Sequence, residues 1–396
     1  MKSSLGCKLF GAHQALIGIR DGVVLLHSVV GCNFGSMSFH LTACDMTDVR
    51  QTCTVISDND VVFGGEKSLL DALCHAQELY DPAVIFLLTG CVSDIVQDEV
   101  AAVIQRFRAK SELPVIALEA AGYRGNFADG FENALARLSD EMRETPPAAL
   151  PTVNIMGLYS DNPRMRFDLN ELERLLCGKV SIGTVFASCK MEDIRRAPEA
   201  SLNIVFGGGL ELARRMERRF GTPYVSLDYP YGLTGAKKLW SCLSQRFGLD
   251  FSAEEGAFAE ETATGLRPIY SYLQALYGVP AAVIGESARA RGMAEFLTRE
   301  LGMIVETTAI RKDTRDVEDF YDAVRASEAA IIFGSSFEQE LADEMEIPLI
   351  RFDFPVFDRV AVSPRPYIGA AGTLCIVEDI LNEVINSRKH KGALYY

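Results

Sequence analysis

The feature that most constrains this chain is an alternation, sustained almost from end to end, of short continuous apolar runs with segments of helical period. Strand runs are read at Val23–Val29, Ala83–Leu88, Pro114–Leu118, Thr152–Leu158, Val180–Phe186 and Leu202–Phe206. They continue at Pro223–Leu227, Ala281–Ile284, Met303–Thr308, Ala329–Phe333 and Pro348–Phe352. Helical patterns separate many of them, as at Ser68–Tyr80, Ser93–Arg108, Phe127–Arg143, Leu210–Phe220 and Ala288–Leu301. A strand apolar on both faces must be covered on both faces, and intervening helices supply that cover. The pattern predicts an α/β fold of doubly wound parallel sheets, with too many strands for one ordinary sheet.

At 396 residues the chain exceeds a single core, and two breaks divide it. Glu144-Thr145-Pro146-Pro147-Ala148-Ala149-Leu150-Pro151 is a proline-rich stop before a fresh strand. Tyr277-Gly278-Val279-Pro280 is the second, after a long helical segment that follows acidic Glu254–Glu261. Three Rossmann-like domains are expected, at 1–150, 151–277 and 278–359. A final helix, about Gly372–Ser387 within 360–396, is expected to pack back on the first domain.

A formal net charge of −15 leaves no basic stripe for phosphate backbones and argues against a nucleic-acid partner. No apolar run is long enough to span a membrane, and the N-terminus carries no long apolar signal region, so a cytoplasmic location is expected. In that compartment ten cysteines read as thiols or metal ligands rather than disulfides. Cys74, Cys177, Cys242 and Cys375 fall on or near apolar helix faces and read as small hydrophobes.

Cys7, Cys32 and Cys91 differ from these, because each sits where a glycine-punctuated turn meets a strand or a helix. Gly31-Cys32-Asn33-Phe34-Gly35 directly follows a buried run, and Thr89-Gly90-Cys91 follows another and opens a helix near Ser93. Gly6-Cys7 precedes a helical stretch in the same way. In such sheets ligands gather at the carboxyl ends of strands. The three are too widely spaced for a zinc knuckle but suit loops of one domain converging on an iron–sulfur cluster, whose iron prefers thiolate. Phe63-Gly64-Gly65-Glu66 is either an anion-binding helix start or a tight turn. Neither a Walker A loop nor a G-x-G-x-x-G fingerprint is present, so no nucleotide is expected there.

From Gly6 to Glu99 the chain resembles the N-terminal domain of the nitrogenase component 1 superfamily. The likeness rests on the three cysteine motifs, on Asp60-Val61-Val62-Phe63-Gly64-Gly65, and on Asp94-Ile95-Val96-Gln97-Asp98-Glu99. It continues through Gly221-Thr222-Pro223-Tyr224, Tyr229-Pro230-Tyr231-Gly232-Leu233, and Phe354-Pro355-Val356-Phe357-Asp358-Arg359 with Tyr367-Ile368-Gly369 after it. The resemblance implies three Rossmann-like domains and assigns Cys7, Cys32 and Cys91 to a [4Fe–4S] cluster, or half of an [8Fe–7S] P-cluster, at a subunit interface. It implies a β-like subunit of a two-component reductase, partnered by an α-like chain (α2β2) or by a second copy. Electrons would come from a nitrogenase-iron-protein-like ATPase. The rival implication is a scaffold for metallocluster or tetrapyrrole assembly, without turnover.

Departures from the family pattern limit what the resemblance carries. The cysteine and histidine that hold the active-site metallocluster of nitrogenase α subunits have no counterpart here. The comparable Asn203-Ile204-Val205-Phe206-Gly207-Gly208-Gly209 has no cysteine, and the C-terminal part has no histidine before His390. The three glycines imply open space or a close backbone approach. Gly122 stands where β-type subunits carry a serine able to ligate an oxidised P-cluster. Cys44 and Cys53 are secondary candidates as extra ligand or redox thiol, and Asp58 or Asp60 as an oxygen ligand or a helix cap. Cys189 reads as a buried thiol or as facing a cavity. His13, His27, His40 and His75 read as satisfied histidines, and Arg351, Arg359 and Arg365 as anion-binding or ordinary ion-paired groups. The substrate is not legible.

Overall fold

The computed structural model describes residues 6–38, 50–160, 162–311, 314–360 and 362–390. Every apolar run read as a strand is one, and one further short strand joins them. The first sheet contains β1 (Gly22–His27), β2 (Gln51–Cys53), β3 (Val84–Thr89) and β4 (Val115–Glu119). The second contains β5 (Thr152–Met156), β6 (Ser181–Val185), β7 (Leu202–Val205) and β8 (Tyr224–Ser226). The third contains β9 (Pro280–Gly285), β10 (Ile304–Ile310), β11 (Ile331–Gly334) and β12 (Leu349–Arg351). All three are parallel, as the continuous apolar runs require.

One strand order recurs: β2-β1-β3-β4, β6-β5-β7-β8 and β10-β9-β11-β12. In each sheet the first strand pairs with both the second and the third. The chain therefore leaves the first and third strands in opposite directions, and a crevice opens between their carboxyl ends. In the first sheet that crevice lies where His27 and Thr89 end their paired strands.

The core beneath it is a hydrocarbon layer. Val23, Leu25, Ile85 and Leu87 pack against Leu69 and Leu73 of the helix Glu66–Tyr80 and Val103 and Phe107 of the helix Val100–Arg108. Two compact units result. One holds Leu5–Asp161 and Ile182–Val225, with the first sheet and nearly all of the second; the other holds Asn162–Ser181 and Ser226–Tyr396, with the third.

The final helix, Gly369–His390, does not pack where the sequence reading put it. It lies instead against the helices Met165–Leu176, Gly232–Phe247 and Ser252–Leu266 and against β12, in the unit of the third sheet. Its apolar positions Ile376, Val377 and Ile380 are fully buried there. Asp379 accepts hydrogen bonds from Arg365, at 2.5 Å, and from the hydroxyl of Tyr367.

Candidate functional site

The carboxyl edge of the first sheet places the sequence-predicted cysteines. Cys91 is the first residue of the helix Cys91–Val96, which leaves β3 through Gly90. Only glycine fits at position 90, because a Cβ there would lie 2.3 Å from the Ser28 hydroxyl oxygen on the adjoining exit from β1. Cys32 sits in the first turn of the helix Val30–Ser38, and its amide donates to the Val29 carbonyl. Cys7 caps the helix Lys8–Leu16 in extended backbone, and its carbonyl accepts from the amides of Phe10 and Gly11. That helix crosses the helix Phe127–Leu138 through two glycines. A Cβ on Gly11 would fall 1.8 Å from the Phe127 carbonyl oxygen, and one on Gly130 would fall 1.9 Å from that of Lys8. So close a crossing draws the start of the first helix onto the loop before the second, where Cys7 forms a backbone bridge with Asn126.

The crossing brings two of the thiols together at Gly122. A Cβ built on Gly122 would sit 2.8 Å from the Cys7 sulfur and 3.4 Å from the Cys91 sulfur. The Gly122 amide donates to the Cys91 sulfur at 3.0 Å. The cradle is one a side chain would fill. Cys32, on the neighbouring turn, lies near Cys53 of β2. Burial pushes the Cys53 thiol above the usual range. Backbone hydrogen bonds at Val55 and Ser28 oppose that rise, and the nearby Cys32 adds to it. Among the described residues no three His, Cys, Asp or Glu side chains converge tightly enough to hold a single metal ion. A mononuclear site is therefore not offered. A multi-iron cluster spreads its thiolates more widely than one ion does.

Exposed apolar side chains surround this edge. Phe63 is 83% exposed, Val62 71%, and Phe34 and Ile95 69% each, with Val30, Val55, Val61 and Tyr123 also exposed. Isolated exposed apolar residues are ordinary, but so many large ones at one sheet edge form the kind of patch that interaction surfaces carry. Beside it opens a cavity of about 500 Å³, bordered by Asp94, Asp98, Glu99 and Glu119, with Arg124 the one basic group among the described residues that line it.

The secondary candidates resolve mostly into structure. Asp60 completes a capping box with Ser57 and also accepts from the Ser68 hydroxyl; these bonds hold its carboxyl below the usual range. Cys44 lies outside the described residues, as does His40. Cys189 is buried, which drives its thiol far upward. Cys177 departs from the small-hydrophobe reading: it is exposed, at the left-handed end of the helix Met165–Leu176. Arg351 is held by Asp358, Arg359 by Glu383, and Arg365 by Asp379 and Glu378. They border a cavity of about 140 Å³, yet each is already ion-paired.

At the edge of the second sheet, Gly207–Gly209 make the close approach that their freedom allows. A Cβ on Gly208 would lie 2.6 Å from the Phe131 ring. The Glu132 carboxylate accepts from the amides of Gly209 and Glu211, so the chain caps this helix start itself. Sequence reasoning missed Gln51–Cys53 and the roles of His13 and His27. A signal for His27 exists: a histidine that ends a wholly buried strand needs a partner at each ring nitrogen.

Known proteins bear on this edge in three ways. The nitrogenase component 1 type oxidoreductase family matches residues 7–385. The nitrogenase iron-molybdenum cofactor biosynthesis protein NifE of Rippkaea orientalis is 27% identical over 78% of this chain and 67% of its own length. The nitrogenase molybdenum-iron protein beta chain of Methanococcus maripaludis is 23% identical over 96% of this chain and 93% of its own. A light-independent protochlorophyllide reductase polypeptide of Staurastrum punctulatum is 24% identical over 94% of this chain and 82% of its own. The solved structure of nitrogenase Cp1 at pH 6.5 superposes with a TM-score of 0.80, covering 99% of this chain and 94% of that one at 19% identity. With the same fold from end to end and a family match that begins at Cys7, this chain belongs to the nitrogenase component 1 type oxidoreductases.

Proposed function

We propose that this chain is a β-like subunit of a two-component, nitrogenase-like reductase. Cys7, Cys32 and Cys91 would hold an iron–sulfur cluster at its contact with an α-like partner, and an ATP-dependent iron protein would supply the electrons. The observation that carries the reading is the meeting of the Cys7 and Cys91 sulfurs over Gly122, at a sheet edge ringed by exposed apolar side chains. A cluster of the [4Fe–4S] or P-cluster type, when bound, supplies one-electron redox chemistry.

The chain's own residues do the rest. Gly122 leaves the cradle open and offers its amide to the Cys91 sulfur, and hydrogen bonds to sulfur are a lever on reduction potential. Phe34, Val62, Phe63 and Ile95, covered by the partner, would exclude water from the thiolates. The sequence likeness to a cofactor biosynthesis protein supports a second reading, an assembly scaffold that carries the same cluster without turnover.

Anaerobic isolation tests both. The protein is expected to be brown, with iron and acid-labile sulfide, and Cys32→Ala or Cys91→Ala is expected to remove the broad thiolate-to-iron absorbance. A colourless, iron-free parent would end the cluster reading. Electron uptake from the reductase component without any substrate consumption would favour the scaffold.

A further inference from the structure

We infer that two buried histidines, His13 and His27, are positioning residues that tie the three thiol-bearing segments to one another before iron binds. The inference rests on the cluster reading above and goes beyond it, since neither residue is a ligand there. Each histidine stands at the centre of a hydrogen-bonded bridge between two of the segments.

His13 lies on the helix that starts at Cys7 and is buried. Its Nε2 is 2.5 Å from Oε1 of Gln51, on β2. The Gln51 amide nitrogen donates to Oδ1 of Asn33 at 2.8 Å and to the Ser36 hydroxyl at 2.9 Å. Those acceptors fix the orientation of the Gln51 amide, so His13 Nε2 carries the proton. Asn33 and Ser36 belong to the helix of Cys32. The bridge therefore runs from the Cys7 segment through β2 to the Cys32 segment.

His27 ends β1, fully buried. Its Nε2 is 2.9 Å from Oδ2 of Asp98, whose other oxygen accepts from the Gly65 amide at 2.7 Å. A carboxylate only accepts, so Nε2 donates, and Nδ1 is left to accept from the Thr54 hydroxyl at 3.1 Å. The Thr54 oxygen in turn accepts from the amide of Ser28, which leads into the Cys32 turn. Asp98 follows the helix of Cys91, and Ser93 of that helix donates to the His27 carbonyl at 3.0 Å. The second bridge thus joins the Cys32 and Cys91 segments. Both ring nitrogens of His27 are engaged within the protein, which excludes it as a ligand. Burial holds both imidazoles below their usual range, to about 4 for His13, and the neutral ring is the form that the His27 bridge requires, since its Nδ1 accepts.

The pairing of each histidine with particular cysteines provides the test. The full chain, freed of iron by chelation, is labelled with a maleimide and mapped by peptide, with exposed Cys177 as the reference. His13→Ala is expected to speed labelling of Cys7 and Cys32, and His27→Ala that of Cys32 and Cys91, each about tenfold. Asp98→Asn should reproduce the His27→Ala pattern, should that variant fold poorly. His27→Gln, whose amide offers a donor and an acceptor from one group, should restore parental rates. After reconstitution, His27→Ala should hold less iron and show a shifted midpoint potential that His27→Gln returns to the parental value. Unchanged labelling, or an equal rise at all three cysteines in both alanine variants, overturns the inference. A parent that takes up no iron overturns the cluster reading instead, and the labelling pattern still decides the role of the histidines.

Discussion

At the scale of the residue, the tightest demand falls on Gly122. Its backbone conformation is ordinary, so the constraint comes from the sulfurs and not from φ. A methyl group here would need room 2.8 Å from the Cys7 sulfur and 2.9 Å from the Cys7 Cβ. Both Cys7 atoms would have to move, and with them the start of the helix Lys8–Leu16. Gly122→Ala is accordingly expected to destabilise the iron-free protein by about 1–3 kcal/mol, the cost of overpacking a close site. It should also lower the iron bound per chain. Urea unfolding and iron analysis measure the two effects, and an alanine variant with parental values in both would remove the cradle from the argument. The placement of the three cysteines at helix starts was legible because each adjoins a glycine at the end of an apolar run or the start of a helical one. The histidines were not, because a lone imidazole looks the same in sequence whether it binds metal, fills space or bridges two loops.

At the scale of the element, the short helix Asp58–Phe63 shows how the chain holds apolar side chains outward, on the surface that the proposed reading gives to a partner. Its first turn is fixed from outside the apolar face: Ser57 and Asp60 close a capping box, and Ser68 anchors the far oxygen of Asp60. Val62 and Phe63 are then held largely in solvent, where they contribute little to the isolated fold, with Val61 half-exposed beside them. Covering a phenylalanine side chain is worth about 1.5–3 kcal/mol. Phe63→Asp should therefore weaken assembly with the partner subunit roughly 10- to 100-fold and leave the thermal midpoint of the isolated chain unchanged. Sedimentation together with a melting curve checks it, and undiminished assembly would move the interface elsewhere.

Elements differed in how plainly the sequence announced them. Val23–Leu26 or Ile85–Leu88 could only be buried strand, since their apolar runs are continuous. Gln51–Cys53 carries no such run and is strand only because Leu26 and its neighbours offer a free edge to pair with. The final helix was legible as a helix, but its apolar positions did not say which surface they would meet.

At the scale of the whole molecule, one strand order used three times offers three crevices, and the chain treats them differently. The first carries the thiols. The second is capped by Glu132. The third is filled by its own charged groups. There Asp353 accepts from the Glu286 amide, Glu286 caps the helix Ser287–Arg299, and buried Arg289 lies 4.1 Å over the Tyr229 ring and 3.6 Å from Asp353.

This division has a consequence for acid stability. His13 and His27 belong to the unit of the first sheet, and burial holds both below their usual range. Asp168, Glu286 and Asp353 belong to the other unit, and burial raises all three. A histidine with a depressed folded value contributes stability that is complete above about pH 6.5. That stability is lost as pH falls towards about 4, by roughly 3 kcal/mol for His13. A carboxyl with a raised folded value does the opposite: the fold takes up its proton before the unfolded chain does, so acidification favours the fold. Hydrogen exchange, corrected for the intrinsic rate at each pH, should therefore show Lys8–Leu16 and β1 losing protection between about pH 6.5 and 4. Met165–Leu176 and β9 should hold theirs over the same range. Equal loss in both units would mean that the buried histidines do not govern the acid response, and His13→Gln, which removes one of the two titrating rings, should weaken the response of the first unit and leave that of the other unchanged.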